Sequence, residues 1–266
     1  MTAVHALLAA TLSYACMAGL AAHAGQGLAS GDTLVAGVQY VPPPFVAGAK
    51  VRTPEHVATA LVEDLAKRLS LQGQTVAADP ARPEALLETG KAKLLLLPIG
   101  KSEVSATTTM SIPAGHSSGA MAIMRTDTDI KTWDQLKGRT VCMSEGGRYV
   151  GQMAARYGAV EKLFKAPADS LLALRIGGCD AAVHDSAMLN ELIKLPEWKK
   201  FSARLPVRDV EPLVFLVPSD DVQSRDALKK VSRDWADSRY LEKLVKLSAR
   251  DIAFEVYLDQ TVTDCH

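Results

Sequence analysis

Apolar and polar positions alternate along this chain in short blocks, and the blocks predict an ordered series of strands and helices. Leu34, Val35, Val38 and Tyr40 predict a first strand over 32–40. Pro42-Pro43-Pro44 then enforces an extended turn, because proline fixes φ and restricts the residue before it. Thr53-Pro54-Glu55 reads as a helix start, with an N-cap, a proline at the first helical position and an acid at the positive helix end. Val57, Leu61, Leu65 and Leu69 follow at four-residue spacing as a core-facing stripe, and Glu63, Asp64, Lys67 and Arg68 fill the solvated side. A short helix over 82–90 ends at Gly90, and the continuous run Leu94–Leu97 suits a strand covered on both faces. Further along, the pattern predicts strands at 119–125, 139–143, 180–184 and 212–218. It predicts helices at 132–138, 148–157, 168–177, 186–194, 222–236 and 239–247.

Repeated strand–helix alternation argues for an α/β fold with mixed sheets flanked by helices. The order divides into two lobes. Residues 25–122 and 215–266 are expected to form a discontinuous first lobe and 123–214 the second, joined by two crossover strands near 119–125 and 212–217.

Before this pattern begins, Ala6 opens an apolar run that continues to Ala22, and no Asp, Glu, Lys or Arg occurs before Asp32. Ala22-His23-Ala24 has the small-x-small form of a leader cleavage site, so residues 1–24 are expected to be a cleaved signal peptide although its start lacks Lys and Arg. An uncleaved membrane helix is the alternative. Cys16 follows Leu12-Ser13-Tyr14-Ala15, a poor lipid-attachment signal because tyrosine stands where a small residue is wanted. With 30 basic and 30 acidic residues the formal charge is zero, and no clustered positive field points to nucleic acid. Export permits disulfides. Cys142 and Cys179 flank two short buried strands, and neighbouring parallel strands would join them; two buried free thiols are the alternative. Cys265 is then the odd cysteine. No CxxC, zinc quartet, His ligand spacing or Ser/His/Asp constellation stands out, so no metal and no cofactor are expected.

Four segments, in order, carry a resemblance. They are Tyr40-x-Pro-Pro-Pro-Phe45, Ala85-Leu86-Leu87-Glu88-Thr89-Gly90-Lys91, Ile130-Lys131-Thr132-Trp133-Asp134-Gln135-Leu136-Lys137-Gly138-Arg139-Thr140-Val141 and Ser170–Asp185 with its Gly177-Gly178-Cys179-Asp180 core. Across nearly all of the chain after the leader, this order resembles the extracytoplasmic solute-binding proteins of amino-acid ABC importers, as a divergent member. The resemblance implies the periplasmic-binding-protein fold, two lobes hinged around a cleft, and hinge closure on a small polar solute.

Within that frame Tyr40 and Phe45 are candidate apolar walls at the carboxyl end of the first strand. Gly146, Gly147 and Arg148, placed between a strand and a helix, are candidates to hold an anionic group through backbone N–H and guanidinium. Asp185 matches the family's acid for the ligand ammonium; its alternative role is an N-cap for the helix at Ser186. Gly100, Lys101 and Ser102 occupy the loop that in the family carries an arginine for the ligand carboxylate. No arginine lies between Arg82 and Arg125 here, so either Lys101 substitutes as a point charge or the ligand lacks that carboxylate. Delivery of an amino acid or related solute to an ABC-importer permease, by a periplasmic monomer without enzymatic activity, is the leading reading. An accessory or sensory periplasmic protein of the same fold is the alternative. A cyclohexadienyl-type dehydratase using Glu145, Lys101 and Arg148 is a second one.

Overall fold

The structure is a computed structural model that describes residues 27–28, 31–42, 47–48, 50–100 and 108–260. The expected leader 1–24, Cys16, Phe45, Lys101, Ser102 and Cys265 lie outside the described residues. The elements run β1 (Thr33–Val38), α1 (Ala58–Arg68), β2 (Gln72–Ala77), α2 (Ala85–Glu88), β3 (Leu94–Pro98), β4 (Thr109–Met124), β5 (Thr140–Ser144), α3 (Gln152–Tyr157), β6 (Val160–Phe164), α4 (Pro167–Arg175), β7 (Ala181–Asp185), α5 (Ser186–Leu192), β8 (Ala203–Arg204), β9 (Arg208–Pro218), α6 (Val222–Asp237) and α7 (Tyr240–Asp259).

A mixed sheet follows the path β2-β1-β3-β9-β4-β7-β5-β6, with β8 on β4. β1 is parallel to β2 and β3, and β5 is parallel to β6 and β7. Between these parallel groups run β4 and β9, antiparallel to one another from Thr109↔Pro218 to Ala120↔Arg208. These are the two crossovers. Their register shifts between Pro113 and His116 and again between Ser118 and Ala120, so the ladder is broken where the chain passes between lobes. Gly119 is needed there, since a Cβ would lie 2.3 Å from Arg208 O.

Each lobe has its own core. Leu34, Leu61, Leu65, Leu96, Phe215 and Trp235 pack in the first. Met121, Leu171, Leu189 and Trp198 pack on one face of the second lobe's sheet, and Trp133, Val141, Tyr149 and Val183 on the other. The buried Leu94–Leu97 run is the parallel neighbour of β1, as its unbroken apolar pattern predicts. Cys142 and Cys179 are joined, with Cα atoms 5.8 Å apart. The capped turn at Thr132 also forms, with Gln135 closing the capping box.

Some predicted features differ, and some strands were not predicted. Thr53-Pro54-Glu55 does not start a helix: α1 begins at Ala58 behind Val57, because residues 50–56 are held instead by the second lobe. The helix expected from Arg148 begins only at Gln152, after Gly151 with φ 83°. α7 runs to Asp259, twelve residues past the helix end expected at 247, and its second half (Ala249, Ile252, Ala253, Val256) packs with Met121, Leu171 and Trp198. β2 (QGQTVA) and β6 (VEKLF) are edge strands with no buried residue and no regular apolar–polar alternation to announce them. Among the described residues, no helix is long and apolar enough to cross a membrane.

Candidate functional site

β7 ends at Asp185, at the seam between the lobes. Alternation along this strand sends neighbouring side chains to opposite faces, so His184 and Asp185 enter two different networks. Asp185 stands at the N-cap position of α5 but its side chain makes no capping bond. Its carboxylate instead accepts from Tyr149 Oη at 2.6 Å and pairs with His56 Nδ1 at 3.4 Å and Arg148 Nη1 at 3.5 Å. Burial opposes the ionised form, but His56, Arg148 and Tyr149 outweigh it and hold Asp185 far below the usual carboxylate range. Tyr149 responds inversely: burial, then the Asp185 charge, push its phenol well above the ordinary value.

His184 faces the other network. Its Nδ1 lies 2.9 Å from Glu55 Oε2, and its Nε2 lies 2.6 Å from Ser170 Oγ. Glu55 also accepts from Ser144 Oγ at 2.5 Å and from the backbone N–H of Asp185 at 2.9 Å. Burial works against its charge, yet His184 and His56 lower its pKa overall. Ser170, His184 and Glu55 have the hydroxyl–imidazole–carboxylate order that activates a nucleophile. Here Ser170 and His184 have no exposed surface, so no substrate reaches the hydroxyl. The relay fastens the structure.

Glu55 belongs to a strap, residues 50–56, that leaves the first lobe and docks on the second. Lys50 and Arg52 pair with Asp259, and Arg52 reaches Asp169 at 2.6 Å. Thr53 donates to Glu255 through both N–H and Oγ1, at 2.8 and 2.6 Å. His56 closes the strap between Asp185 and Gly146 O, the latter 3.3 Å from Nε2. Both ring nitrogens thus face groups that only accept, which favours the imidazolium. Burial resists that charge, but Asp185, Glu55 and Gly146 O prevail and raise the pKa of His56.

The sign of the resulting pH dependence follows. A raised folded pKa gives stability that is complete below the unfolded value, about 6.5 for histidine, and lost as pH rises through the folded value. His116, across the cavity, is depressed by burial despite the attraction of Asp185, so its effect is opposite: stability falls as pH drops below that same value. We expect denaturant midpoints of His56→Gln to decline less than wild type above pH ~6.5, and those of His116→Gln to decline less below it. Parallel curves for all three proteins across both ranges would contradict the assignment.

Tyr40, at the end of β1, presses its ring on Gly146. Gly146 has φ 73°, and a Cβ there would lie 2.0 Å from the Tyr40 ring, so only glycine admits this contact. Gly147 donates its N–H to Ser144 O, within the turn. Arg148 is almost wholly buried; it donates to Glu211 Oε2 at 2.6 Å and reaches Ser118 O at 3.4 Å. Gly100 lies next to Glu211. Tyr40, His56, His116, Ser118, Arg148, Asp185 and Glu211 are among the residues that line an inner, partly open cavity of about 40 Å³. That is room for a few water molecules. An outer cleft of about 660 Å³ adjoins it, with Gln39, Pro98, Arg148 and Glu211 on both. Asp79, Glu84 and Asp209 face this cleft, along with Arg156, which is itself paired with Asp209.

Of the residues predicted for the site, the structure brings Tyr40 onto Gly146 and pairs Arg148 with Asp185, with Gly147 in the same turn as Gly146 and Gly100 beside Glu211. The helix N-terminus expected behind Arg148 is absent from this position, since the segment 148–151 is a turn. Sequence reasoning missed Glu55, His56, Tyr149 and Glu211. Glu55 was masked by the cap-like Thr-Pro-Glu pattern; the others carried no local signal. Among the described residues no His, Cys, Asp and Glu group is arranged to hold a metal.

No protein-family model matches the chain, and no curated protein does. Solved structures do share its fold. Holo ArgBP from T. maritima is similar at 21% identity and TM-score 0.52, over 81% of this chain and 95% of that one. The substrate-binding protein AbpA of an amino-acid ABC transporter from Streptococcus pneumoniae, bound to L-arginine, gives 15% and 0.57, over 85% and 98%. The GluR0 ligand-binding core with L-glutamate gives 15% and 0.55, over 83% and 99%. The chain therefore has the two-lobed fold of these binding proteins.

Proposed function

We propose that this chain is a periplasmic solute-binding protein that takes a small polar solute, an amino acid or related compound, between its lobes and delivers it to an ABC importer. The observation that carries the reading is that Tyr40, which rests on Gly146, and the Arg148–Asp185 pair line one cavity at the broken β4–β9 crossover, beside a cleft of about 660 Å³. That volume lies in the range of small-molecule sites. Solved proteins of this fold that bind L-arginine and L-glutamate support it. Residues 1–24 direct export and are removed, so an intact mass should place the mature start at Gly25.

A solute that binds only the folded chain raises its melting temperature by mass action. We expect one or more members of an amino-acid and amine panel to do so. Asp185→Ala should weaken binding of that solute at least 100-fold in calorimetry, since a charge-assisted anchor is lost. Unchanged affinity would remove Asp185 from the site, and a silent panel would count against the solute-binding reading itself.

The inner charges already satisfy one another, and this favours a second reading, an accessory or sensory protein whose lobes stay closed. In that case the wild type would bind no solute, and capture from periplasmic extract would recover a protein partner in place of a permease.

A further inference from the structure

Arg148 is part of the wall between the two chambers, with Gln39, Pro98 and Glu211. Its side chain rises from the turn after β5, lines both the inner cavity and the outer cleft, and is 9% exposed. Its guanidinium contacts three elements: Glu211 on β9, Asp185 on β7 and Ser118 O on β4. Only the Glu211 bond, at 2.6 Å, is short; those to Ser118 O and Asp185 are 3.4 and 3.5 Å. The guanidinium carbon also lies 5.3 Å above the Tyr149 ring, a face that attracts cations. Two acids, one of them (Asp185) shared with His56, a carbonyl and an aromatic face thus surround a cation that the chain itself supplies, on a side chain that borders the cleft.

We infer that Arg148 is a tethered stand-in for the cationic group of the solute: the inner site is built for a guanidinium or ammonium, and a bound solute replaces Arg148 at Asp185, Ser118 O and Glu211 while Arg148 turns outward. This rests on the cleft being a solute site. When Arg148 leaves, the inner cavity and the cleft become one chamber. The solute must compete with an attached cation, so its apparent affinity is reduced by the fraction of molecules with Arg148 in place.

The test removes the stand-in and returns it in solution. Arg148→Ala deletes a fragment equal to N-ethylguanidinium, and melting temperature and calorimetric binding are read with that probe at constant ionic strength. N-ethylurea serves as the neutral match. Arg148→Ala should melt below wild type, regain stability saturably with N-ethylguanidinium and not with N-ethylurea, and bind the probe at least tenfold more tightly than wild type does. Equal binding by both proteins, or no saturable binding by Arg148→Ala, overturns the inference. Should Arg148→Ala not fold, the double variant Arg148→Ala/Glu211→Gln leaves Asp185 as the remaining acid facing the vacated space. The same preference for the charged probe is required of it, and its absence is equally decisive. The two readings fail separately. A wild type that answers a solute panel while the variants ignore N-ethylguanidinium sinks only the stand-in. Variants that bind the probe beside a wild type silent to every solute sink the solute-binding reading and keep the cation site.

Discussion

Glu55→Ala is expected to destabilise the fold by about 3–5 kcal/mol, the range seen when one member of a buried charged pair is removed. The carboxylate is buried and receives three donors: Ser144 Oγ, the His184 imidazole and the Asp185 backbone N–H. Alanine leaves all three without an acceptor and opens a void between the strap and the second lobe. It also removes the acceptor of the Asp185 N–H, leaving the end of β7 held by its pairing with Ala120 on β4. For a chain of this size the loss corresponds to roughly 6–20 °C in melting temperature. Glu55→Gln keeps the shape but turns an acceptor oxygen into a donor facing other donors, and should fall between wild type and alanine. Urea melts of the three proteins test this order. An alanine variant within 1 kcal/mol of wild type would mean that the strap is not fastened as described. Because Glu55 is held below the ordinary carboxylate range, its contribution is complete above the unfolded value, about pH 4, and is lost as pH falls. Asp185 acts in the same direction. The difference between wild type and Glu55→Ala should therefore shrink in acid.

Removing the bridge between Cys142 and Cys179 is expected to have an effect of similar size. The two residues are 37 positions apart, and closing a loop of that length restricts the unfolded chain by about 4 kcal/mol in the chain-entropy model. The bridge ties the centre of β5 to the residue that leads into β7, and these parallel strands bear Ser144 and Asp185 at their ends. The paired variant Cys142→Ala/Cys179→Ala should lose that stability in urea melts, while a mass increase of the wild type on reduction reports the bond directly. If the paired variant is as stable as the oxidised wild type, the entropic account fails for this loop. The strap and the bridge act on different states: the first stabilises the folded chain, and the second destabilises the unfolded one. Their effects should add within a few tenths of a kcal/mol.

Local pattern was sufficient for much of this fold. Four-residue spacing placed α1 along Leu61 and Leu65, the unbroken Leu94–Leu97 run marked a doubly covered strand, and Thr132 with Gln135 marked a capped turn. Each of these is decided within one or two turns of chain, where periodicity and capping act. Asp185 is singled out through the family resemblance, and Gly146-Gly147-Arg148 through its place between a strand and an expected helix; the structure pairs Arg148 with Asp185.

The partners of those residues were not legible. Thr53-Pro54-Glu55 satisfies every local rule for a helix start, yet Glu55 accepts from residues 89 to 130 positions away, and those bonds outweigh the loss of a first turn. The exposed strands β2 and β6 exist because β1 and β5 offer open edges, which no alternation in their own sequences reports. By itself, then, the sequence indicated most of the strands and helices in their order and favoured a bond between Cys142 and Cys179 over two free thiols. Only the tertiary structure decided that Arg148 meets Asp185 and Glu211, that His56 closes over Asp185 and that Glu55 is buried in the opposite lobe. Periodicity records which face of an element is apolar. It holds no information about which distant charge that face will meet, and here those long-range pairs make the site.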